Sequence, residues 1–331
     1  MSIVPILRAN ARLLVAGALA TAAAAGLRAL QEYPTRLFDL YPLYYGGRAW
    51  LETGNAHLLD TVVPASDRGF QLFEIGNVYP LPAVFVTLPL TALPAQLAGT
   101  VWIALLVAGL ICALRLYGGS YWLLLYVPVI EAIRIEQYTA LVLIAQIVAL
   151  WALRERRLWI LAACCALILT KPNHGLAFVI AAALLSGSGA RIGVLAFLPW
   201  LASLAVDRSW PGQWLAALGR HQAALQQPIL WPVALLGLPL LLAGEVIGAA
   251  VVLQFIALPF PGVYAASSLL LPLLLSRHVP WLVAVSFLWP FAALALGTPW
   301  ATALTLVLPM VGAALYLRRS SVGRLAGRFG T

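Results

Sequence analysis

Long hydrophobic runs bounded by arginine, proline or glycine recur along nearly the whole chain, and they leave few structural options. Inside hydrocarbon every backbone N–H and C=O must be satisfied within the protein, so a spanning segment is either a helix or part of a closed barrel. The apolar/polar alternation of a spanning barrel strand is missing, which leaves helices. At 63% hydrophobic and 9% charged residues the chain lies far outside the composition of soluble domains, about 45–50% apolar and about 25% charged. These features predict an all-α polytopic membrane protein, one domain over residues 1–331, with about twelve transmembrane helices.

The first run, Leu13 to Leu30, follows Arg8 and Arg12 and is rich in alanine. A cleaved signal peptide would read the same way, but with so many later runs it is expected to be an uncleaved first span. Further spans are expected at about 158–170, 175–190, 192–206, 229–244, 246–259, 262–275, 280–296 and 300–317. This register puts Arg8/Arg12, Arg154/Arg156/Arg157, Arg191, Arg277 and the basic tail 318–331 on the cytoplasmic side, as positively charged loops prefer. The net charge of +9 is therefore a topology signal and not a nucleic-acid footprint. Cys112, Cys164 and Cys165 lie within hydrophobic runs and offer neither a disulfide framework nor a metal spacing.

Segment 31–78 then faces the outside, and it holds six of the chain's eleven acids: Glu32, Asp39, Glu52, Asp60, Asp67 and Glu74. Four apolar stretches follow, near 80–93, 95–114, 119–133 and 137–153, where an odd number of crossings is needed. One of them should be re-entrant or half-length. Pro80, Pro82, Pro89 and Pro94 break the first, and Glu131, Arg134 and Glu136 interrupt the join of the last two. Polar groups at that depth point to function. A second outer segment, 207–227, carries Trp210, Trp214, Leu215, Leu218 and Leu225 in the pattern of an interfacial helix capped by Ser209, placed to roof a cavity.

Lys171 in "LTKPNHG" is the only lysine, the other nineteen Lys/Arg side chains being arginine. It suits a phosphate, or else it snorkels to the interface at the negative end of its helix. His174, one turn on, either assists a phosphate or hydroxyl or is a satisfied interface histidine. Asp39 precedes an aromatic helix expected to lie on the membrane surface, with Tyr44, Tyr45 and Arg48 on it. It reads as that helix's N-cap, as a general base whose proton affinity is raised by desolvation, or as both. Asn77, Tyr79 and Gln137 suit sugar recognition or the satisfaction of broken helix ends. Arg48, His57, Arg220 and His221 are weaker candidates, since such side chains are more often solvated loop residues. No glycine-rich phosphate loop and no Ser-His-acid order is present.

The order of these features, over roughly residues 10 to 230, resembles the C-type superfamily of membrane glycosyltransferases. It is most similar to glycosyltransferase family 87, which includes polyprenyl-phosphate-mannose-dependent mannosyltransferases. An early Asp followed by paired tyrosines and glycines is matched by Asp39, Tyr44, Tyr45, Gly46, Gly47, Arg48 and Gly54. A tyrosine-proline-proline element looks like Tyr79, Pro80 and Pro82, a glycine-glutamine-x-asparagine element like "EQYT", and a lysine-proline element like Lys171 and Pro172. Three positions depart from the pattern: Glu136 stands for Gly, Thr139 for Asn, and Leu81 separates the prolines.

The resemblance implies inverting, metal-independent transfer of a hexose from a polyprenyl-phosphate donor to a hydroxyl of a lipid or glycolipid acceptor. Asp39 would take the acceptor proton and Lys171 would hold the departing phosphate, with Tyr44, Tyr45, Arg48, Asn77, Tyr79, Gln137, His174 and His221 around the substrates. The implied location is the outer face of the cell membrane, among membrane lipids, with no cofactor and no nucleic-acid partner. The rival readings are a polyprenyl-lipid transporter or flippase, and a non-catalytic lipid-binding relative. Against the transporter stands the absence of an internal repeat in the sequence.

Overall fold

The computed structural model describes residues 17, 19, 37, 39–64, 76–225, 231–257 and 262–326. Nearly all of the first expected span, residues 31–36, 38 and 65–75 of the 31–78 segment and the end of the basic tail lie outside the described residues. Every regular element among those described is helical. In chain order the main helices are α1 (Tyr41–Thr53), α2 (Leu81–Thr87), α3 (Ala95–Tyr117), α4 (Val127–Arg134), α5 (Thr139–Arg154), α6 (Leu158–Leu169) and α7 (Pro172–Leu185). They continue with α8 (Gly189–Val206), α9 (Trp210–Leu225), α10 (Val246–Ala257), α11 (Val279–Ser286), α12 (Trp289–Leu296) and α13 (Thr298–Arg318).

Three of these, α3, α8 and α13, are long and apolar enough to cross a bilayer, and α11 with α12 makes a fourth if the pair, bent by 42°, counts as one span. At 23 residues α3 is about 35 Å long, more than the hydrocarbon thickness of about 30 Å. The count of spans by length is thus smaller than the sequence pattern predicts. Part of the difference comes from unbroken but short helices such as Leu158–Leu169 and Pro172–Leu185, and part from broken runs. The expected span at 229–244 is two short pieces, Trp231–Ala234 and Gly237–Leu242. The one at 262–275 is a 3₁₀ segment, Val263–Leu273, with Pro272 inside it. Between 79 and 153 two stretches are broken where one was expected: Leu81–Ala92 turns from α-helix to 3₁₀ geometry, and 121–134 is a 3₁₀ turn followed by α4.

The core is centred on α5, which packs between α3 and α6 and under the 3₁₀ segment. Leu110, Leu114, Leu143, Ile147 and Leu269 are fully buried there. The outer faces of α8 and α12 remain apolar and uncovered, with Phe197, Leu201, Phe291 and Leu294 all exposed. Such faces suit a hydrocarbon environment, where dispersion contacts replace the hydrophobic effect as the source of helix association.

The aromatic helix α1 buries one face in the protein and exposes the other, with Leu51 at 63% exposure. Tyr41, Tyr44, Tyr45, Gly46, Gly47 and Ala49 are buried, and Tyr44 donates its hydroxyl proton to the carbonyl of Leu93 at 2.7 Å. The paired glycines explain how it sits so deep. A Cβ on Gly46 would meet Asn77 Nδ2 at 2.5 Å, and one on Gly47 would meet Thr91 Cγ2 at 2.7 Å, so larger residues would force α1 off its neighbours. Gly54, left-handed at φ 72°, closes the helix with its N–H on the carbonyl of Trp50.

Candidate functional site

Helix breaks deliver the polar side chains to one place. After α4 the chain turns through Glu136, which takes a left-handed φ of 59°, while Gln137 N–H returns to the carbonyl of Ala132 at 2.7 Å. That is the geometry of a helix C-terminal cap, where glycine is the usual residue. Room for the Glu136 side chain comes from Gly99 of α3, whose Cβ would lie 2.5 Å from Glu136 Oε1. Trp102 of α3 donates its indole N–H to the Glu136 carbonyl at 3.0 Å, which fixes the turn and aims Gln137 inward.

The second break separates α6 from α7 at Thr170 and Lys171. Thr170 Oγ1 lies 2.8 Å from the Tyr138 hydroxyl, and His174 N–H reaches the carbonyl of Lys171 at 3.0 Å. A Cβ on Gly175 would meet Ile168 Cγ2 at 2.1 Å and Ile168 O at 2.9 Å, so the two helices close this tightly only with glycine there. Lys171 is consequently turned inward at 7% exposure, and the snorkelling reading fails.

At the centre, Gln137 joins the two ionisable groups. Its Nε2 donates to Asp39 Oδ2 at 2.5 Å, and its Oε1 accepts from the Tyr79 hydroxyl at 3.0 Å and from Lys171 Nζ. The ammonium also donates to the Tyr79 oxygen at 3.3 Å and lies 5.1 Å from the Tyr79 ring centre and 5.8 Å from that of Tyr264. Asp39 is not an N-cap: α1 begins after Leu40 with no side-chain cap, and Asp39 is tethered by its own N–H to the carbonyl of Ile135 at 3.0 Å. Asn77 holds the segment that leads into α2, accepting the N–H of Tyr79 at 3.0 Å and donating to the carbonyl of Ala56 at 3.3 Å.

These groups open on a cavity of about 370 Å³ lined by Asp39, Tyr79, Gln137, Lys171, His174 and His221, with Leu176, Ile180, Leu218 and Leu253 as apolar wall. The 210–225 helix α9 roofs it, as its pattern predicts. Trp210 is buried against Trp200, and Trp214 donates its indole N–H to the carbonyl of Val78 at 2.9 Å. Ser209 begins this helix differently from a simple cap: its hydroxyl donates to Asp207 Oδ1 at 2.7 Å and accepts from Gln213 Nε2 at 3.1 Å.

Both ionisable groups lie in junctions between helices, and burial shifts them in opposite senses. Loss of water raises the Asp39 carboxyl above its usual range, with Lys171 and the Gln137 hydrogen bond opposing. Loss of water lowers the Lys171 ammonium, with Asp39 opposing. Each charge is costly alone and is supported by the other across the amide.

Tyr44, Tyr45, Arg48 and Asn77, taken from the sequence as substrate contacts, do not line the cavity. The tyrosines are packed edge to face at 5.1 Å inside the core, and Arg48 pairs with Glu52 at 3.4 Å on the surface. Conversely, Tyr264, Gln254 and Thr170 line the cavity and were not singled out by sequence. Tyr264 follows "PFPG" and is hidden in what reads as one more apolar span. Compared with family models, with curated proteins and with solved structures, the chain matches none.

Chemically, the cavity sets a carboxylate of raised proton affinity and a desolvated cation around one space with an apolar wall. A hydroxyl beside Asp39 can lose its proton, and an anion beside Lys171 can be neutralised where water is scarce.

Proposed function

We propose that the chain is a membrane glycosyltransferase that moves a hexose, mannose in the first instance, from a polyprenyl-phosphate carrier to a hydroxyl of a lipid-linked or membrane-adjacent acceptor at the outer face of the cell membrane. The observation that carries this reading is the convergence of Asp39 and Lys171 on one cavity whose wall includes Leu176, Ile180 and Leu253. The resemblance of the motif order to family 87 supports it.

The reaction uses what each side chain offers. The acceptor hydroxyl gives its proton to the Asp39 carboxylate as its oxygen bonds to the anomeric carbon. The bond from that carbon to the phosphate oxygen breaks, and its electron pair leaves with the phosphate, where negative charge grows beside the Lys171 ammonium. Attack opposite the leaving group inverts the anomeric centre. A single phosphate needs one positive charge close by, and a desolvated lysine supplies it at more than its value in water. Gln137 keeps acid and base apart, since its two hydrogen-bonding ends occupy the space between them.

The test is direct. The full chain in lipid nanodiscs is given radiolabelled polyprenyl-phosphate mannose and a lipid acceptor fraction, and transferred sugar is counted. Asp39→Asn is expected to remove transfer while the melting curve stays cooperative. Transfer at the wild-type rate in that variant overturns the reading.

A further inference from the structure

The arginine-rich end of the bundle lies away from the Asp39/Lys171 cavity and has no part in the reaction above. Helix α5 starts two residues after Gln137 and runs 16 residues to Arg154, about 24 Å. Arg154 is occupied there, pairing with Glu155 at 3.2 Å and donating to the carbonyl of Tyr117 at 3.1 Å. Arg156, Arg157 and Arg191 are exposed, and none of them pairs with an acid among the described residues. Arg156 also holds a left-handed φ of 54°, a backbone pose at a helix end that usually falls to glycine. The tight turn it makes, with Arg157 N–H on the carbonyl of Ala152 at 2.8 Å, sets two arginines in succession just before α6.

Two apolar grooves start from that end. One, of about 440 Å³, lies between α5 and α6 and is lined by Ile144, Val148, Ile160, Ala163 and Leu167. The other, of about 510 Å³, lies between α6 and α8 and is lined by Leu158, Ala190, Val194 and Leu195, with Arg191 in its wall. Trp159 belongs to the wall of both and is 77% exposed, so it stands between them on α6. A tryptophan so placed suits the boundary between hydrocarbon and headgroups. From Trp159 to Leu167 the first groove runs about 12 Å along α6, away from the arginines.

We infer that this end of α6 binds a two-chain anionic phospholipid, with one acyl chain on each side of Trp159 and the headgroup phosphate among Arg156, Arg157 and Arg191. Charge complementarity selects this occupant. Any lipid could lay hydrocarbon in the grooves, and a free phosphate would have no use for them, whereas basic residues at helix ends draw acidic lipids from the surrounding bilayer. The site lies apart from the Asp39/Lys171 cavity, so it stands or falls independently of the transferase reading.

Native mass spectrometry of the detergent-solubilised full chain, titrated with phosphatidylglycerol and phosphatidylcholine of the same acyl chains, tests it. Phosphatidylglycerol is expected to bind at least about twentyfold more tightly than phosphatidylcholine, and at least about tenfold more tightly than its own single-chain lyso form. Arg157→Gln and Arg191→Gln are each expected to lower the ratio of the two headgroup affinities about fivefold, the worth of one basic side chain at an anionic surface. Arg277→Gln, in an exposed turn that lines neither groove, is expected to leave the ratio unchanged. Trp159→Ala is expected to weaken both lipids and keep their ratio.

Equal affinity for the two headgroups overturns the site. So does a ratio unchanged in both Arg157→Gln and Arg191→Gln, or one that falls as far in Arg277→Gln, which marks a diffuse basic surface. A second copy of the chain as the occupant shows as lipid-free dimers that Trp159→Ala dissociates, and that result overturns it as well.

Discussion

Among the breaks in apolar helices, the one between α11 and α12 and those at Gln137 and Lys171 differ in what they carry: the first places apolar side chains at the turn, the others polar ones that line a cavity. In the C-terminal pair the chain bends by 42° between α11 and α12, and the residues at the bend are Phe287 and Leu288, both exposed. Pro290, in the first turn of α12, accounts for the break, and the nearby Trp289 indole simply reaches Thr302 Oγ1 at 3.1 Å. At the α4–α5 and α6–α7 breaks, the chain instead places Gln137 and Lys171, both buried, and both hydrogen-bonded across elements far apart in sequence. A break frees backbone groups and changes direction. A site needs, in addition, polar side chains at the turn and a roof such as α9 to keep water out.

The sharpest way to break this contrast is Asp39→Asn, expected to lower the transfer rate by about 10²–10⁴-fold, the usual worth of a positioned general base. Quantifying single-turnover transfer checks it, and a tenfold loss or less would mean that the pocket does not use this carboxylate. Next in size is Lys171→Met, expected to cost about 10²–10³-fold in rate through the lost stabilisation of the leaving phosphate. Its pH profile adds a signature. Asp39 must be ionised to accept a proton, so wild-type activity falls on acidification, at a pH above the normal carboxylate range because burial raises this group. Lys171 must be charged, so activity also falls on the alkaline side, earlier than for an ordinary lysine because burial lowers it. Since the lysine is what holds the carboxyl down, Lys171→Met is expected to move the acidic limb to still higher pH.

Gly175→Ala tests whether the close approach of α6 and α7 positions Lys171. The new methyl meets Ile168, including its backbone oxygen, and overpacking of this kind costs about 1–3 kcal/mol. A fall in melting temperature together with weaker transfer is expected, whereas loss of stability with full activity would separate the hairpin from the site. The smallest effect belongs to Arg48→Ala. Its exposed pair with Glu52 is worth about 0.5 kcal/mol or less, and because Arg48 does not line the cavity the kinetics are expected to be unchanged. A large drop in activity would bring Arg48 back into the substrate site.

Helix as the only regular element among the described residues, the amphipathic helix at 210–225 that covers the cavity, and the candidacy of Asp39 and Lys171 were legible in the residues alone. Each follows from local facts: unbroken apolar runs, a tryptophan-rich amphipathic period, and ionisable groups too costly to place in an apolar chain without a reason. The lengths of the helices were not legible. Whether a proline or a short polar join ends a span depends on which neighbour satisfies the freed backbone groups, as Ile135 does for Asp39 and Trp102 for Glu136.

The tyrosines of α1 misled for the same reason. An aromatic row beside a glycine pair suits a substrate contact or a buried helix interface equally well, and only the close contacts of Gly46 and Gly47 with Asn77 and Thr91 put the tyrosines in an interface. What the sequence by itself determined was therefore the kind of element and the short roster of costly side chains. The tertiary structure decided that residues 39, 79, 137 and 171 share one amide-centred network, because hydrogen bonds act over about 3 Å while their partners lie up to 98 positions apart in the chain.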